Sequence, residues 1–131
     1  MKKMVCVVGA VIYNEQHEIL CALRSPKMSL PHVWEFPGGK VEEGETPEEA
    51  LVREIHEELG CTVQVHEKVE ETHHEYPSMM VHLLTYKAKI VEGTPQAKEH
   101  AELKWVPLQE LGSLEWAPAD IPTVKTLLAK L

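Results

Sequence analysis

Between Gly38 and Cys61 the chain reads GGKVEEGETPEEALVREIHEELGC, a pair of glycines followed by a run dense in carboxylates. Glu54, Glu57 and Glu58 are related by three and four residues, so on a helix they share one arc of the surface. Arg53 lies at the edge of that arc beside Glu57. Like charges at this spacing repel by about 0.2–0.5 kcal/mol per pair, and no lysine separates Glu54 from Glu58. A solvated acidic face is one reading of such a run. The other is a site for hard divalent cations, which take oxygen ligands and would relieve the repulsion. Gly38 and Gly39, within the run Trp34–Lys40, favour the second. They stand where the backbone must approach another group closely or turn through positive φ.

A helix has to position these groups, and the residues predict one over Pro47–Leu59. Thr46 suits the N-cap, Pro47 the first helical position, Glu49 completes a capping box, and Gly60 supplies the stop. At about 100° per residue, Leu51, Val52, Ile55 and Leu59 fall in one core-facing arc. The acidic arc borders this apolar stripe instead of pointing straight into solvent.

Gly39, Glu45, Arg53, Glu54, Glu57, Glu58 and Gly60, with apolar residues at Ile55 and Cys61, match in type and spacing the signature of the Nudix hydrolases. The chain resembles that family at every defined position of the signature. The resemblance implies a mixed β-sheet between helices. It also implies hydrolysis of a nucleoside diphosphate linked to some other moiety, with Mg²⁺ as the metal and Mn²⁺ as a substitute. Glu54, Glu57 and Glu58 would then hold the ions, joined by the backbone carbonyl of Gly38. Glu54 would accept the proton of the attacking water. Arg53 would orient Glu45 or Glu57 from behind, and Lys40 would steady the leaving group.

Outside the signature the chain is similar to the MutT-type nucleoside triphosphate pyrophosphohydrolases. The similarity lies in Met1-Lys2-Lys3, Trp34–Lys40, Lys98-Glu99 ahead of Trp105, and Ala117-Pro118-Ala119-Asp120. By position it implies Glu99 as a further metal ligand and Arg24 as a contact to sugar or phosphates. Phe36, Trp34 and Trp116 are aromatic candidates for base stacking, with at least one expected in the core. Asp120 departs from that branch's pattern, in which an asparagine reads the base. An ionised carboxylate only accepts hydrogen bonds, so it favours donor edges such as guanine N1–H with its amino group, or the cytosine amino group. The segment also resembles enzymes acting on CTP or modified dCTP. An N-cap role for Asp120 can run in parallel.

A chain of 131 residues fits a single domain spanning 1–131 with a real core. Its net charge of −8 argues against binding a nucleic-acid backbone. It does not exclude a nucleotide, because bound cations reverse the local sign of a carboxylate site. Cys6, Cys21 and Cys61 form no CxxC pair and read as reduced thiols of a cytoplasmic protein. Met1-Lys2-Lys3 before the apolar run Met4–Tyr13 mimics a signal peptide, but no small-residue cleavage site follows, and the run reads as a buried strand. No stretch is long enough to span a membrane.

Along the chain the pattern predicts a doubly buried strand over Val5–Tyr13 and a second over Glu18–Arg24, paired as a hairpin. Trp34–Pro37 is extended and leads into a glycine turn. Long strands follow over Cys61–His74 and Met79–Val91, joined by a turn at Glu75–Ser78. Then come a polar loop over Gln96–Glu102, a short strand at Leu103–Val106, a helical turn from Pro107, and a helix over Ile121–Leu131. The fold class is α+β, an α/β/α sandwich. The histidines show no metal-binding spacing and read as titrating surface residues, His73 and His74 pointing to opposite faces of a strand.

The function implied is Mg²⁺-dependent cleavage of a (deoxy)nucleoside triphosphate to monophosphate and pyrophosphate. It would serve nucleotide-pool sanitisation of the 8-oxo-dGTP or CTP/modified-dCTP type, by a monomer or homodimer. Two alternatives stand beside it. One is the same chemistry on ADP-ribose or a dinucleoside polyphosphate, to which Tyr76-Pro77 would be relevant. The other is a non-catalytic nucleotide sensor.

Overall fold

The structure, a computed structural model, describes residues 3–130. Leu131 and the Met1-Lys2 opening lie outside them. Seven strands, β1 (Lys3–Ile12), β2 (Glu18–Leu23), β3 (Trp34–Glu35), β4 (Gly38–Lys40), β5 (Thr62–Glu75), β6 (Met79–Glu92) and β7 (Glu102–Pro107), are joined by helices α1 (Pro47–Leu59) and α2 (Ile121–Ala129). Two 3₁₀ turns, Leu108–Ser113 and Pro118–Asp120, precede α2. The strands form a four-stranded sheet, β4-β1-β6-β5, and a three-stranded sheet, β3-β2-β7. β1 runs parallel to β6 and antiparallel to β4, so the larger sheet is mixed.

β1 is buried on both faces over Val8–Ile12, as its β-branched run predicts, while Lys3 and Met4 are exposed. Val8, Ala10 and Ile12 pack with Leu51, Ile55 and Leu59 of α1. Val11 faces the other way, into a second cluster with Phe36, Trp116, Val124 and Leu127. The larger sheet is therefore covered by α1 on one side and by α2 on the other, an α+β sandwich. Thr85 of β6 and Thr123 of α2 are tied there by a buried hydroxyl pair at 2.9 Å. No helix of the described residues is long and apolar enough to cross a membrane, and Cys6, Cys21 and Cys61 are free thiols.

The expected hairpin of the first two strands is not formed. β1 and β2 meet in one isolated bridge, Tyr13 to Ile19, because both edges of β1 are taken by β4 and β6 and those of β2 by β3 and β7. Asn14 makes the crossing: its Oδ1 accepts from the amides of Gln16 and Glu18. The glycine turn is likewise a strand. Gly38 and Gly39 are not among the positive-φ glycines, which are Gly44, Gly60 and Gly93.

The helix α1 carries the predicted capping box, with Thr46 Oγ1 accepting from the Glu49 amide and Glu49 Oε1 from the Thr46 amide. Gly60 closes it at φ 74°. Its apolar stripe is rotated from the expected one: Val52 is exposed at 36% while Ala50 is fully buried. Packing against β4 turns the helix toward its acidic edge, so Glu54 and Glu58 are half-buried as well. Asp120 stands at the N-cap position of α2, but its side chain makes no capping bond. It turns inward instead.

Candidate active site

Gly38 and Gly39 lie in β4, antiparallel to Val7–Gly9 of β1, and α1 packs directly over them. A Cβ at Gly38 would fall on the backbone of Val8, and one at Gly39 on the carboxylate of Glu54. The glycines are therefore required by close approach, the first of the two alternatives posed by the sequence.

Arg53 ties the loop before α1 to the acidic edge. Its Nε and Nη2 donate to Glu45 Oε2 and Oε1 at 2.7 and 3.0 Å. Nη1 donates to Glu54 Oε2 at 2.8 Å and Glu57 Oε2 at 3.2 Å, and Nη2 to the Lys40 carbonyl at 3.0 Å. It thus orients both partners that the sequence offered as alternatives, and Glu54 besides. These bonds raise the Arg53 pKa and, with the backbone amide of Glu42, hold Glu45 below the usual carboxylate range. What the Lys40 position supplies to this network is its carbonyl; the residue itself is exposed at the rim of the cleft.

Glu58 has no such partner. Burial first, then the charges of Glu54, Glu35, Glu99 and Glu57, push its carboxyl up to about 8. Its Oε1 is buried and accepts no hydrogen bond. Desolvation also raises Glu54 against the opposing pull of Arg53. Glu57 is exposed beside them, and exposed Glu99 is near enough for its charge to act on Glu58. An orphaned buried oxygen amid several carboxylates is a donor set suited to a hard divalent cation.

Of these carboxylates Glu58 lines a cleft of about 610 Å³, together with Gly38, Gly39 and Lys40. Its wall is the α2-side face of the larger sheet, through Val5, Val7, Val81 and Leu83, and Tyr76, Ala119 and Asp120 line it as well. Asp120 is 6% exposed, and its Oδ1 lies 3.5 Å from the Phe36 amide. Burial, reinforced by the charge of Glu35, raises its pKa well above the ordinary value. That burial was not legible in the sequence, which showed only a carboxyl where the related pattern carries an asparagine. Phe36 packs on Trp116 at 4.7 Å between ring centroids. Both are core residues, with Phe36 also reaching the cleft wall.

Arg24 lines the cleft, its Nη1 donating to Glu35 Oε1 at 2.6 Å and its Nε to the Ser29 carbonyl at 2.7 Å. The other Glu35 oxygen meets His100 Nε2 at 2.8 Å. His100 is 5% exposed, which overturns its reading as a surface histidine. Glu35 and His100 are the site-bordering pair that sequence reasoning missed. Only the position of Glu35, next to Phe36 in the glycine-bearing run, pointed toward it.

Residues 4–127 match the family profile described as the NUDIX domain. The chain is 38% identical over 127 residues to the 8-oxo-dGTP diphosphatase of Escherichia coli K12, covering 97% of this chain and 98% of that one. It is 39% identical over 127 residues to the CTP pyrophosphohydrolase of the same organism, covering 97% and 93%. Among solved structures it is similar to the solution structure of the DNA mismatch repair protein MutT (family Nudix hydrolase) from methicillin-resistant Staphylococcus aureus 252. There the TM-score is 0.81 and the identity 50%, with 100% of both chains covered.

Proposed function

The chain belongs to the Nudix hydrolase family, and on that premise we propose that it is a Mg²⁺-dependent pyrophosphohydrolase cutting a (deoxy)nucleoside triphosphate to monophosphate and pyrophosphate. Its role is removal of altered nucleotides from the pool, in the cytosol. The substrates named for its E. coli relatives, 8-oxo-dGTP and CTP, are the first to test.

The observation that carries the reading is the unpartnered, half-buried Glu58, within reach of the charges of Glu54, Glu57 and Glu99 and lining a nucleotide-sized cleft. Glu54, Glu57 and Glu58, with Glu99 and the Gly38 carbonyl, would hold the metal. Mg²⁺ held there would supply positive charge to the phosphate oxygens and so lower the cost of bringing water to phosphorus. Arg53 fixes the carboxylates before substrate arrives. Glu54 lies against Gly39 with one oxygen held by Arg53 and is assigned the proton from the attacking water. Arg24 and Lys40, which both line the cleft, are assigned to the polyphosphate, and Phe36 and Asp120, which line it too, to the base.

The test is pyrophosphate release from a panel of ordinary, oxidised and methylated nucleotides with Mg²⁺. Glu57→Gln and Glu58→Gln are each expected to lower kcat/KM by ~100-fold or more, since even outer partners of metal sites cost about 10–100-fold. No triphosphate releasing pyrophosphate, or full activity in both variants, rejects the proposal. AMP with ribose phosphate from ADP-ribose would mark the alternative substrate class.

A further inference from the structure

On the sheet face that carries α1, away from the cleft, Glu71, His73 and His82 converge. His73 and His82 are directly opposed across β5 and β6, their rings stacked at 4.2 Å and 11°. Glu71 precedes His73 by two residues and so projects to the same face. Its Oε2 lies 2.6 Å from His82 Nε2, and one ligand atom from each of the three falls within 4.8 Å of the others. The face is fixed by the neighbours: Val81 and Leu83, either side of His82, line the cleft, so His82 points out of the opposite side.

Two imidazoles and a carboxylate, from residues i and i+2 of one strand and the residue facing them on the next, form a three-ligand set for a borderline ion. A hard ion such as Mg²⁺ prefers oxygen ligands alone. An ordinary ion pair accounts for Glu71 and His82, but it leaves unexplained why a second imidazole is brought to the same point.

The geometry points to a transition-metal site of the Zn²⁺ class formed by Glu71, His73 and His82, which clamps β5 to β6 just before the hairpin tip that lines the cleft. Metal–ligand bonds of about 2.0–2.2 Å set tetrahedral ligands roughly 3.3 Å apart, within reach of side-chain rotation at these accessible positions. The ion takes the place of the proton shared by Glu71 and His82. Lys68 Nζ donates to Glu71 Oε1 at 2.9 Å. It leaves Oε2 to face His82 and orients the carboxylate as outer partners of metal sites do. Beyond the clamp, Tyr76 at the tip contacts the His74 ring at 4.6 Å and accepts from the Ala119 amide at 3.3 Å.

The test is titration of the full chain with Co²⁺ and with Zn²⁺ in excess Mg²⁺, which occupies the hydrolytic site. Wild type and Glu57→Gln are both expected to show the intense visible bands of a tetrahedral Co²⁺ centre, at one ion per chain, displaced by Zn²⁺. Zn²⁺ is expected to raise Tm by a few degrees, because it binds the folded chain. His73→Ala and His82→Ala should each lose the bands and the Tm rise while keeping Mg²⁺-supported hydrolysis. Bands that persist in both histidine variants, or that vanish in Glu57→Gln, overturn the proposal, as does the absence of any Co²⁺ or Zn²⁺ effect on wild type.

Discussion

Arg53 grips Glu45 with two parallel hydrogen bonds, at 2.7 and 3.0 Å, from eight residues away in sequence. Because the same guanidinium also holds Glu54, Glu57 and the Lys40 carbonyl, its planar fork matters more than its charge. Arg53→Lys keeps the charge and loses the fork. It is expected to lower kcat/KM by about 10–100-fold with little change in Tm. Steady-state kinetics beside a thermal melt check this, and near-wild-type turnover in Arg53→Lys would contradict it.

The two glycines of β4 should fail in different ways. At Gly38 an added methyl meets the Val8 backbone, which cannot yield. Gly38→Ala is therefore expected to destabilise the fold by ~1–3 kcal/mol, the usual cost of overpacking. At Gly39 the methyl meets the end of the Glu54 side chain, which can swing away. Gly39→Ala should keep its denaturation midpoint and lose most of its activity. Urea unfolding of both variants, set against their turnover, decides it.

Glu58 predicts a pH-dependent stability in metal-free protein. Its folded pKa of about 8 lies above the ordinary 4.5. Between those values the unfolded chain binds fewer protons than the folded one, so stability is full below pH 4.5 and falls as pH rises through 8. After allowance for partial solvent screening the loss is of order 2 kcal/mol. Glu58→Gln should flatten the profile, and Mg²⁺ should do the same for wild type. Denaturant titrations in EDTA at acidic and alkaline pH measure it; a stability that rises over this interval would refute the assignment.

Asp120 is buried with a raised pKa, so an amide of the same shape should fit in its place. Asp120→Asn is expected to fold as well as wild type and to gain stability relative to it as pH rises, since it has no charge to bury. If the position reads the base, the ratio of kcat/KM values between purine and pyrimidine triphosphates should shift by about tenfold or more. An unchanged ratio would remove Asp120 from base recognition.

The α1 region was the most legible part of the chain, because caps, periodicity and acidic spacing are all local. Thr46, Glu49 and Gly60 could be assigned from neighbours a few residues away, and the whole Arg53 network lies between Lys40 and Glu57. What escaped depends on contacts distant in sequence. The rotation of α1 that buries Ala50 and exposes Val52 is set by β4, and the separation of β1 from β2 by which strands take their edges. His100 looked like a surface residue until Glu35, 65 positions earlier, was brought to it. His73 and His82 show no chelating spacing in the chain and meet only through the register of a hairpin.

β5 is the long edge strand of the larger sheet, the opposite edge being the short β4, and its pairing with β6 slips between Thr62 and Val63 and again on either side of Lys68. Those irregularities, with the charges of Glu67, Lys68, Glu70 and Glu71 along the same stretch, spoil it as a template for a strand from another molecule. The border of the sheet that would most readily recruit a foreign chain is thus guarded against aggregation.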